Sequence, residues 1–398
     1  MYVAIFMGPF ARGPRDDRVL IEQCLNMAVE AAEAGFSTIT FGEQHFNNYE
    51  PYCNPLLMGA QLAGKLKDSF FATTILPLPY HNPIRLAEDA NIVDQLMGGR
   101  FILGMSAGRV GFSPDFENFG LDPKDQRAIF AEKFAALETL WAHDPQSGPL
   151  KFNGQWVKGG MHGRIQPVSY RAPRPLLAIG SNTESTVRKA GVDGHVMFLG
   201  PASFDEAVAR YTAYREGLDE GGWDDAFKAH RLRHSMIHRQ TVVGETDDEA
   251  WGVVEARMAF NPMMKRDGDP RTIRQMYEDG LRKKAGMSDQ EQHNSNVALG
   301  WYMAGSPETL IEQFKAHRAA GIEQIHTRFN TGLWNPDGWQ RSFRLFVDEV
   351  MPKIGAKTFP ALDRSEIQEP VRQGPMPPMP GMTMASVAAA GSGVGAKP

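Results

Sequence analysis

The sequence predicts an α/β fold in which eight parallel strands, each followed by a helix, close into a barrel. Three observations carry this. Eight short apolar runs, rich in β-branched and aromatic residues, alternate along the chain with stretches of helical periodicity. Two of the runs, Phe70–Leu76 and Phe101–Met105, are joined by a helical crossover, the βαβ unit of parallel strands covered on both faces. The alternative is a doubly wound open sheet, but no Gly-x-Gly-x-x-Gly links a strand to a helix, and Gly104, Gly108 and Gly111 are wrongly spaced for that fingerprint.

The elements follow in order. Tyr2–Met7 is the first strand, stopped by Gly8-Pro9. Asp16 or Asp17 caps a helix to Ala34 that stripes Leu20, Ile21, Cys24, Leu25, Ala28 and Ala31/Ala32 along one face. Gly35 closes it, Ser37–Phe41 is the second strand, and Gly42-Glu43-Gln44-His45-Phe46 follows at once. Asn54–Leu66 is an apolar helix before the third strand, Phe70–Leu76. Pro77, Pro79 and Pro83 exclude a helix before Ile84, and Pro83 suits a first helical position. Ile84–Met97 places Leu86, Ala90, Val93 and Leu96/Met97 on one face and ends at Gly98-Gly99. After the fourth strand, Phe101–Met105, a loop from Ser113-Pro114-Asp115 leads to a helix over Lys124–Trp141, capped by Asp122-Pro123.

Lys151–Val157 alternates around Asn153-Gly154, a small hairpin by its turn chemistry, so the chain makes an excursion after its fourth helix. Leu176–Ile179 and His195–Leu199 are the fifth and sixth strands, separated by a helix ending near Gly191. Ser203 or Asp205 caps the next helix, to Leu218, and Leu232–Val243 is the seventh strand. Thr246-Asp-Asp-Glu is a capping-box pattern opening another helix. The stretch 258–296 is charged, Met-rich and weakly periodic, a lid-like insertion after the seventh strand. Its Met258, Phe260, Met263 and Met264 are candidates to line an apolar substrate pocket. Ser306-Pro307-Glu308 starts a helix to Ala320, Ile325–Phe329 is the eighth strand, and Trp339–Val350 closes the fold. Residues 1–362 make one barrel domain. Residues 363–398, rich in Pro, Met, Gly and Ala, read as a flexible tail or an arm at a subunit contact.

Length allows one such barrel or two ordinary domains, since 398 residues at 42% hydrophobic content support a sizeable core. A net charge of -5 argues against nucleic acid or an anionic membrane as the main partner. Cys24 and Cys53 form no CxxC pair and no disulfide framework, which fits a reducing compartment. The start MYVAIFMGPF carries no basic leader, and no run approaches the ~20 apolar residues of a membrane span. A soluble cytoplasmic protein is expected.

A barrel brings the loops after its strands to one mouth, where chemistry collects. Glu43, Gln44 and His45 follow the second strand there; the cluster is either a hydrogen-bonded loop or part of a site. Gly180-Ser181-Asn182-Thr183-Glu184-Ser185-Thr186 opens a helix with hydroxyls and unpaired N–H groups, which is either an ordinary cap or an anion site. Arg109, after a neighbouring strand, adds a guanidinium suited to bidentate phosphate contact. One such cradle suits a mononucleotide better than a dinucleotide. His81 is a substrate-side group or a cap for the helix after Pro83, and Arg85, Glu88 and Asp94 are salt-bridged supports. His234 and His238 have metal-ligand spacing if helical, but within a strand they stand ~13 Å apart, so no metal is expected.

The run PYHNPIRLAEDANIVDQLMGGRFILGMSAGR resembles the signature of the bacterial luciferase-like flavin monooxygenases: His81, Pro83, Arg85, Ala87-Glu88, Asp94, Gly99-Arg100 and Gly104 fall in family order. The resemblance covers roughly residues 1 to 350. It implies a (β/α)8 TIM barrel that uses reduced FMN and O2 to oxygenate a small apolar organic substrate through a flavin peroxide, with the reduced flavin supplied by a separate NAD(P)H:flavin reductase. It implies phosphate contacts from Arg109, Ser181 and Ser185, with Gly180 and Thr186 in the same cradle, and a place beside the ring system for Thr74. Glu43, Gln44 and His45 resemble the family's Glu-His-His-Phe, with Gln44 standing where the family has a histidine that acts as acid and base. Glutamine hydrogen-bonds but relays no proton at neutral pH. A homodimer is expected. Two rival functions remain open: hydride transfer with the deazaflavin F420, and a catalytically silent flavin-binding partner subunit.

Overall fold

A computed structural model of the chain describes residues 1–110, 114–258 and 269–362. Eight strands close on themselves: β1 (Tyr2–Phe6), β2 (Thr38–Phe41), β3 (Phe70–Thr73), β4 (Phe101–Ser106), β5 (Leu176–Gly180), β6 (Val196–Leu199), β7 (Met236–Val243) and β8 (Gln324–Arg328). Each pairs in parallel with the next, and β8 returns to β1, so the ring has no open edge. All eight apolar runs of the sequence become these strands.

Alternation along the strands divides the core in two. Val3 and Ile5 of β1 face the helices, whereas Tyr2 and Ala4 face the barrel interior with Phe70, Ala72, Ile102, Ala178 and Phe198. The floor of the barrel is aromatic. Phe359, from the closing segment, stacks on Tyr2 at 4.4 Å and lies 5.2 Å from Phe70 and 4.2 Å from His234. Midway up, the interior narrows to Ala4, Ala72, Ala178 and Gly104. The upper layer turns polar, with Thr40, His238, His326 and Arg328.

Four features depart from expectation. The run Leu232–Val243 is split: helix Asp225–His234 ends in Arg231, Arg233 and His234, and β7 starts only at Met236. His234 therefore sits at the floor and His238 in the upper layer. A further parallel strand, Tyr302–Gly305, lies outside the ring and pairs with Gln240–Val243 of β7. In the hairpin, Leu150–Asn153 pairs with Lys158–Met161 around a four-residue turn, not a two-residue Asn-Gly one. The Glu132 carboxylate accepts the N–H groups of Gln155, Trp156 and Val157 at 3.2, 2.9 and 2.7 Å, an anchor from the preceding helix that local turn chemistry does not reveal.

The described part of the insertion, 269–296, is more ordered than its composition suggests. Helices Ile273–Leu281 and Asp289–Trp301 each open with a capping box, Thr272 with Gln275 and Ser288 with Glu291. They build a small core of their own with Val242, Ala250, Trp251, Val254, Ile273, Met276, Ala298 and Tyr302. Phe260, Met263, Met264 and the tail 363–398 lie outside the described residues, and of Met258 only the backbone is described. Asn82, not His81, caps the helix Pro83–Leu96, accepting from Ile84 and Arg85 N–H. Arg85 pairs with Glu88 and Asp89 on the surface, as a support. Asp94 instead is buried and accepts from the Ser169 hydroxyl and the Arg171 N–H. Both cysteines are free thiols. Among the described residues no helix is long and apolar enough to cross a membrane.

Gly104 marks where the barrel tolerates nothing larger. A Cβ there would stand 2.2 Å from the Thr73 carbonyl oxygen and 2.6 Å from the Phe198 ring. Thr73 also clamps this residue, donating to its carbonyl at 2.8 Å and accepting its N–H at 2.9 Å. Gly104→Ala should therefore cost about 1–3 kcal/mol by overpacking. Guanidinium unfolding would show this as a lowered midpoint at unchanged slope, and a midpoint equal to wild type would mean that β3 and β4 can part without cost.

Candidate active site

The carboxyl ends of β2 to β6 surround a cavity of about 470 Å³. Gly42, Glu43 and Gln44 enter it after β2, Thr74 and Ile75 after β3, and Ser106, Gly108 and Arg109 at the end of β4. Gly180, Ser181 and Asn182 enter it at the end of β5, with Phe198 and Gly200 from β6. Of the residues singled out in the sequence, Glu43, Gln44, Thr74, Arg109, Gly180 and Ser181 thus meet in one space. The peptide bond between Thr74 and Ile75 is cis. Ser185 and Thr186 lie outside this cavity, exposed on the first turn of the helix Glu184–Val192.

His45 and His81 stand behind Glu43, each with Nε2 2.8 Å from its Oε1, and His81 also 3.0 Å from Oε2. Burial pushes the Glu43 carboxyl up, but the hydrogen bonds from His45 and His81 hold it below the usual carboxylate range. An ionised carboxylate only accepts, so both imidazoles donate Nε2–H to it, leaving Nδ1 as the remaining acceptor of a neutral ring. Aromatic rings wall this pair: Tyr80 stacks on Phe119 at 4.8 Å and meets Phe116 edge-on at 5.2 Å, and His45 lies edge-on to Phe119 at 4.9 Å. Gln44 accepts from the Asn47 amide at 3.4 Å.

At the other end, Ser181 Oγ accepts the Thr183 N–H at 3.0 Å. Thr183 makes no side-chain capping bond, so the first-turn N–H groups of Glu184–Val192 keep no cap of their own. Asn182 ties two loops together, accepting from Gly200 N–H at 2.8 Å and donating to the Pro201 carbonyl at 2.9 Å. Among the described residues no group of three His, Cys, Asp or Glu is placed to hold a metal ion.

Sequence reasoning passed over Glu50. It lines the same cavity, is buried, and its enclosed Oε2 accepts no hydrogen bond from the described residues. Its carboxyl is pushed up to about 7, by burial first, with Arg328 opposing this, Glu43 adding to it and His45 opposing it. No local pattern marks it: what aims it inward is a loop whose path depends on contacts with Pro9 and Ala11, far away in the chain.

A sequence profile described as luciferase-like monooxygenase matches residues 1–324. The alkanal monooxygenase alpha chain of the Kryptophanaron alfredi symbiont is 32% identical over 353 residues, covering 86% of this chain and 95% of its own. Among solved structures, the oxygenating constituent of the 3,6-diketocamphane monooxygenase of Pseudomonas putida, a type II Baeyer-Villiger monooxygenase in complex with FMN, superposes with a TM-score of 0.69. It is 23% identical and covers 89% of this chain and 98% of its own. The coenzyme F420 dependent tetrahydromethanopterin reductase of Methanopyrus kandleri reaches a TM-score of 0.60 at 15% identity, covering 89% of this chain and 99% of its own. These two likenesses show a shared barrel.

The Glu50 carboxyl yields a pH test. Its folded value, about 7, lies above its ordinary 4.5, so the folded state holds the proton more tightly. The associated stability is fully present below the ordinary value and is lost as pH rises through about 7. Between pH 5 and pH 8 the wild type should lose about 2–3 kcal/mol relative to Glu50→Gln, whose amide does not titrate. Parallel pH profiles of the two proteins in urea unfolding would show that Glu50 titrates as it does in water.

Proposed function

The chain belongs to the luciferase-like monooxygenase family, and on that premise we propose that it is the oxygenating component of a two-component system, taking reduced FMN from a separate NAD(P)H:flavin reductase and oxygenating a small organic substrate. The observation that supports this best is the cavity's division of labour. Arg109 and Ser181 stand at one end, with an uncapped helix start next along the chain, and a buried carboxylate backed by two imidazoles stands at the other. An uncapped helix N-terminus beside a guanidinium suits one phosphate group. The wall between them is thin where a ring system would lie: a Cβ on Gly180 would strike the Ile75 side chain at 2.5 Å.

In this reading Arg109, Ser181 and the helix start hold the phosphate, while Thr74, Ile75, Gly180 and Phe198 face the ring system. Reduced FMN, when bound, supplies the electrons for dioxygen activation. The chain's own contribution is orientation, exclusion of water and custody of protons. Glu43 fixes the tautomer and pose of His45 and His81, and their Nδ1 atoms are where a proton is taken up. Gln44 positions a bound group by hydrogen bonding and moves no proton. Tyr80, Phe116 and Phe119 keep the Glu43 side dry. Three carboxyl groups, of Glu43, Glu50 and Asp115, line the cavity against one guanidinium, a poor setting for the oligoglutamate tail of F420.

Arg109→Ala should weaken FMN by about tenfold to a hundredfold, the equivalent of ~1.5–3 kcal/mol for a charge-assisted bond, while leaving riboflavin nearly unchanged. Fluorescence titration of both flavins separates the cases, and equal losses would remove Arg109 from the phosphate site. Oxygen uptake that depends on both reduced FMN and substrate is the accompanying expectation. Oxygen-independent turnover with reduced F420 would replace this reading with hydride transfer.

A further inference from the structure

We propose that Glu50 selects the substrate, its carboxyl group accepting a hydrogen bond from an N–H or O–H group of the bound molecule. The substrate then carries an N–H or O–H donor, as a phenol, an arylamine or an N–H heterocycle does, and is not a plain hydrocarbon, ketone or aldehyde. The inference rests on the flavin-dependent reading of the same cavity and narrows its substrate.

Position comes first. Glu50 lies on the β1–β2 side of the mouth: its Oε2 is 2.5 Å from where a Cβ on Gly42 would stand, and the Phe6 ring is 3.0 Å from the same point. Arg109 and Ser181 follow β4 and β5, on the far side of β3. A flavin held there by its phosphate leaves the Glu50 side to the second molecule.

The second observation is that its enclosed oxygen has no hydrogen-bond partner among the described residues. Glu50 is 7% exposed, Oε2 is fully enclosed, and no N–H or O–H among the described residues bonds to Oε2. Buried carboxyl groups are rarely left so, and the exceptions gather at functional sites. Arg328, whose charge Glu50 feels most strongly, donates instead to the Gly8 carbonyl and is sandwiched by Phe6 at 5.4 Å and Phe10 at 4.5 Å. It forms no ion pair with Glu50, so the carboxyl is left to accept from a molecule in the cavity that it lines.

The backbone enforces this placement. Glu50 has φ 50, in the left-handed region that a glutamate avoids, with Phe46 at φ 54 and Cys53 at φ 45 along the same loop. The loop is pinned by Ala11 N–H to the Asn48 carbonyl at 2.7 Å, Glu50 N–H to the Pro9 carbonyl at 3.0 Å and the Tyr52 hydroxyl to the Met7 carbonyl at 2.6 Å. A surface acid would need no such restraint. Charge then selects the ligand type: with Glu43 ionised nearby and Arg109 assigned to the phosphate, a neutral donor fits and an anion does not.

The test uses full-length protein saturated with oxidised FMN and two pairs of probes, indole with 1-methylindole and 4-ethylphenol with 4-ethylanisole. Calorimetric titration should show each N–H or O–H member binding at least about tenfold more tightly than its methylated partner. Glu50→Leu should reduce that ratio to about twofold or less, and Glu50→Gln, whose amide oxygen still accepts, should retain part of it. No preference in the wild type, or a preference that survives in Glu50→Leu, overturns the proposal. FMN affinity is measured in parallel. A loss of more than about tenfold in Glu50→Leu would assign the donor to the flavin's own ring N–H and overturn the substrate claim. Failure of the wild type to bind FMN would overturn the flavin reading instead, while the probe pairs, titrated without FMN, still report on Glu50.

Discussion

Closing eight strands into a ring leaves an interior too narrow for large side chains at every level, and the rest of the molecule follows from how that constraint is met. The waist is given to Ala4, Ala72, Ala178 and Gly104. Bulk is then displaced to the two ends. At the floor it becomes an aromatic plug around Phe359, an apolar closure supplied by the last described residues of the chain. At the mouth it becomes a polar layer, because groups there have the cavity and the loop carbonyls within reach.

That polar layer carries less charge than its composition suggests. Burial, aided by Arg328, pushes His326 down to about 3, and burial with His326 and Arg328 beside it keeps His238 well below its ordinary value. Both rings are neutral at physiological pH, linked Nδ1 to Nδ1 at 3.2 Å, with Thr40 2.7 Å from the Nε2 of His326. Arg328 is therefore the cation among these four, and it donates to the Gly8 carbonyl and not to the Glu50 carboxyl. The mouth thus combines an ionised carboxylate at Glu43 with a carboxyl at Glu50 whose charge depends on pH near neutrality.

Much of this was legible in the sequence. Each barrel strand was visible because a buried parallel strand reads as a short apolar run, and Arg109 and Ser181 were visible because a strand followed by a hydroxyl-rich helix start is a local pattern. What escaped was set by contacts distant in sequence. Tyr302–Gly305 is four residues long and is a strand only because β7 extends far enough to pair with it. The helix Asp225–His234 did carry a signal, its basic last turn of Arg231, Arg233 and His234, which complements a helix C-terminus and argues against a strand. Glu50 carried none. A single acid in a polar loop looks solvated until Pro9 and Ala11 are seen to turn the loop inward.

The strand outside the ring has a consequence for how this chain can vary. The insertion leaves at Val243 and returns at Tyr302, and β7 pairs in register with the returning strand up to Val243 and Gly305. The two ends of the excursion are thus held by sheet hydrogen bonds, whatever lies between them. For a flexible segment whose ends are already tied, doubling its length costs only about 0.6 kcal/mol in closure entropy. Length can therefore vary between Val243 and Tyr302 without opening the ring, as long as the small core that Ile273, Met276 and Ala298 share with Val242 of β7 is kept.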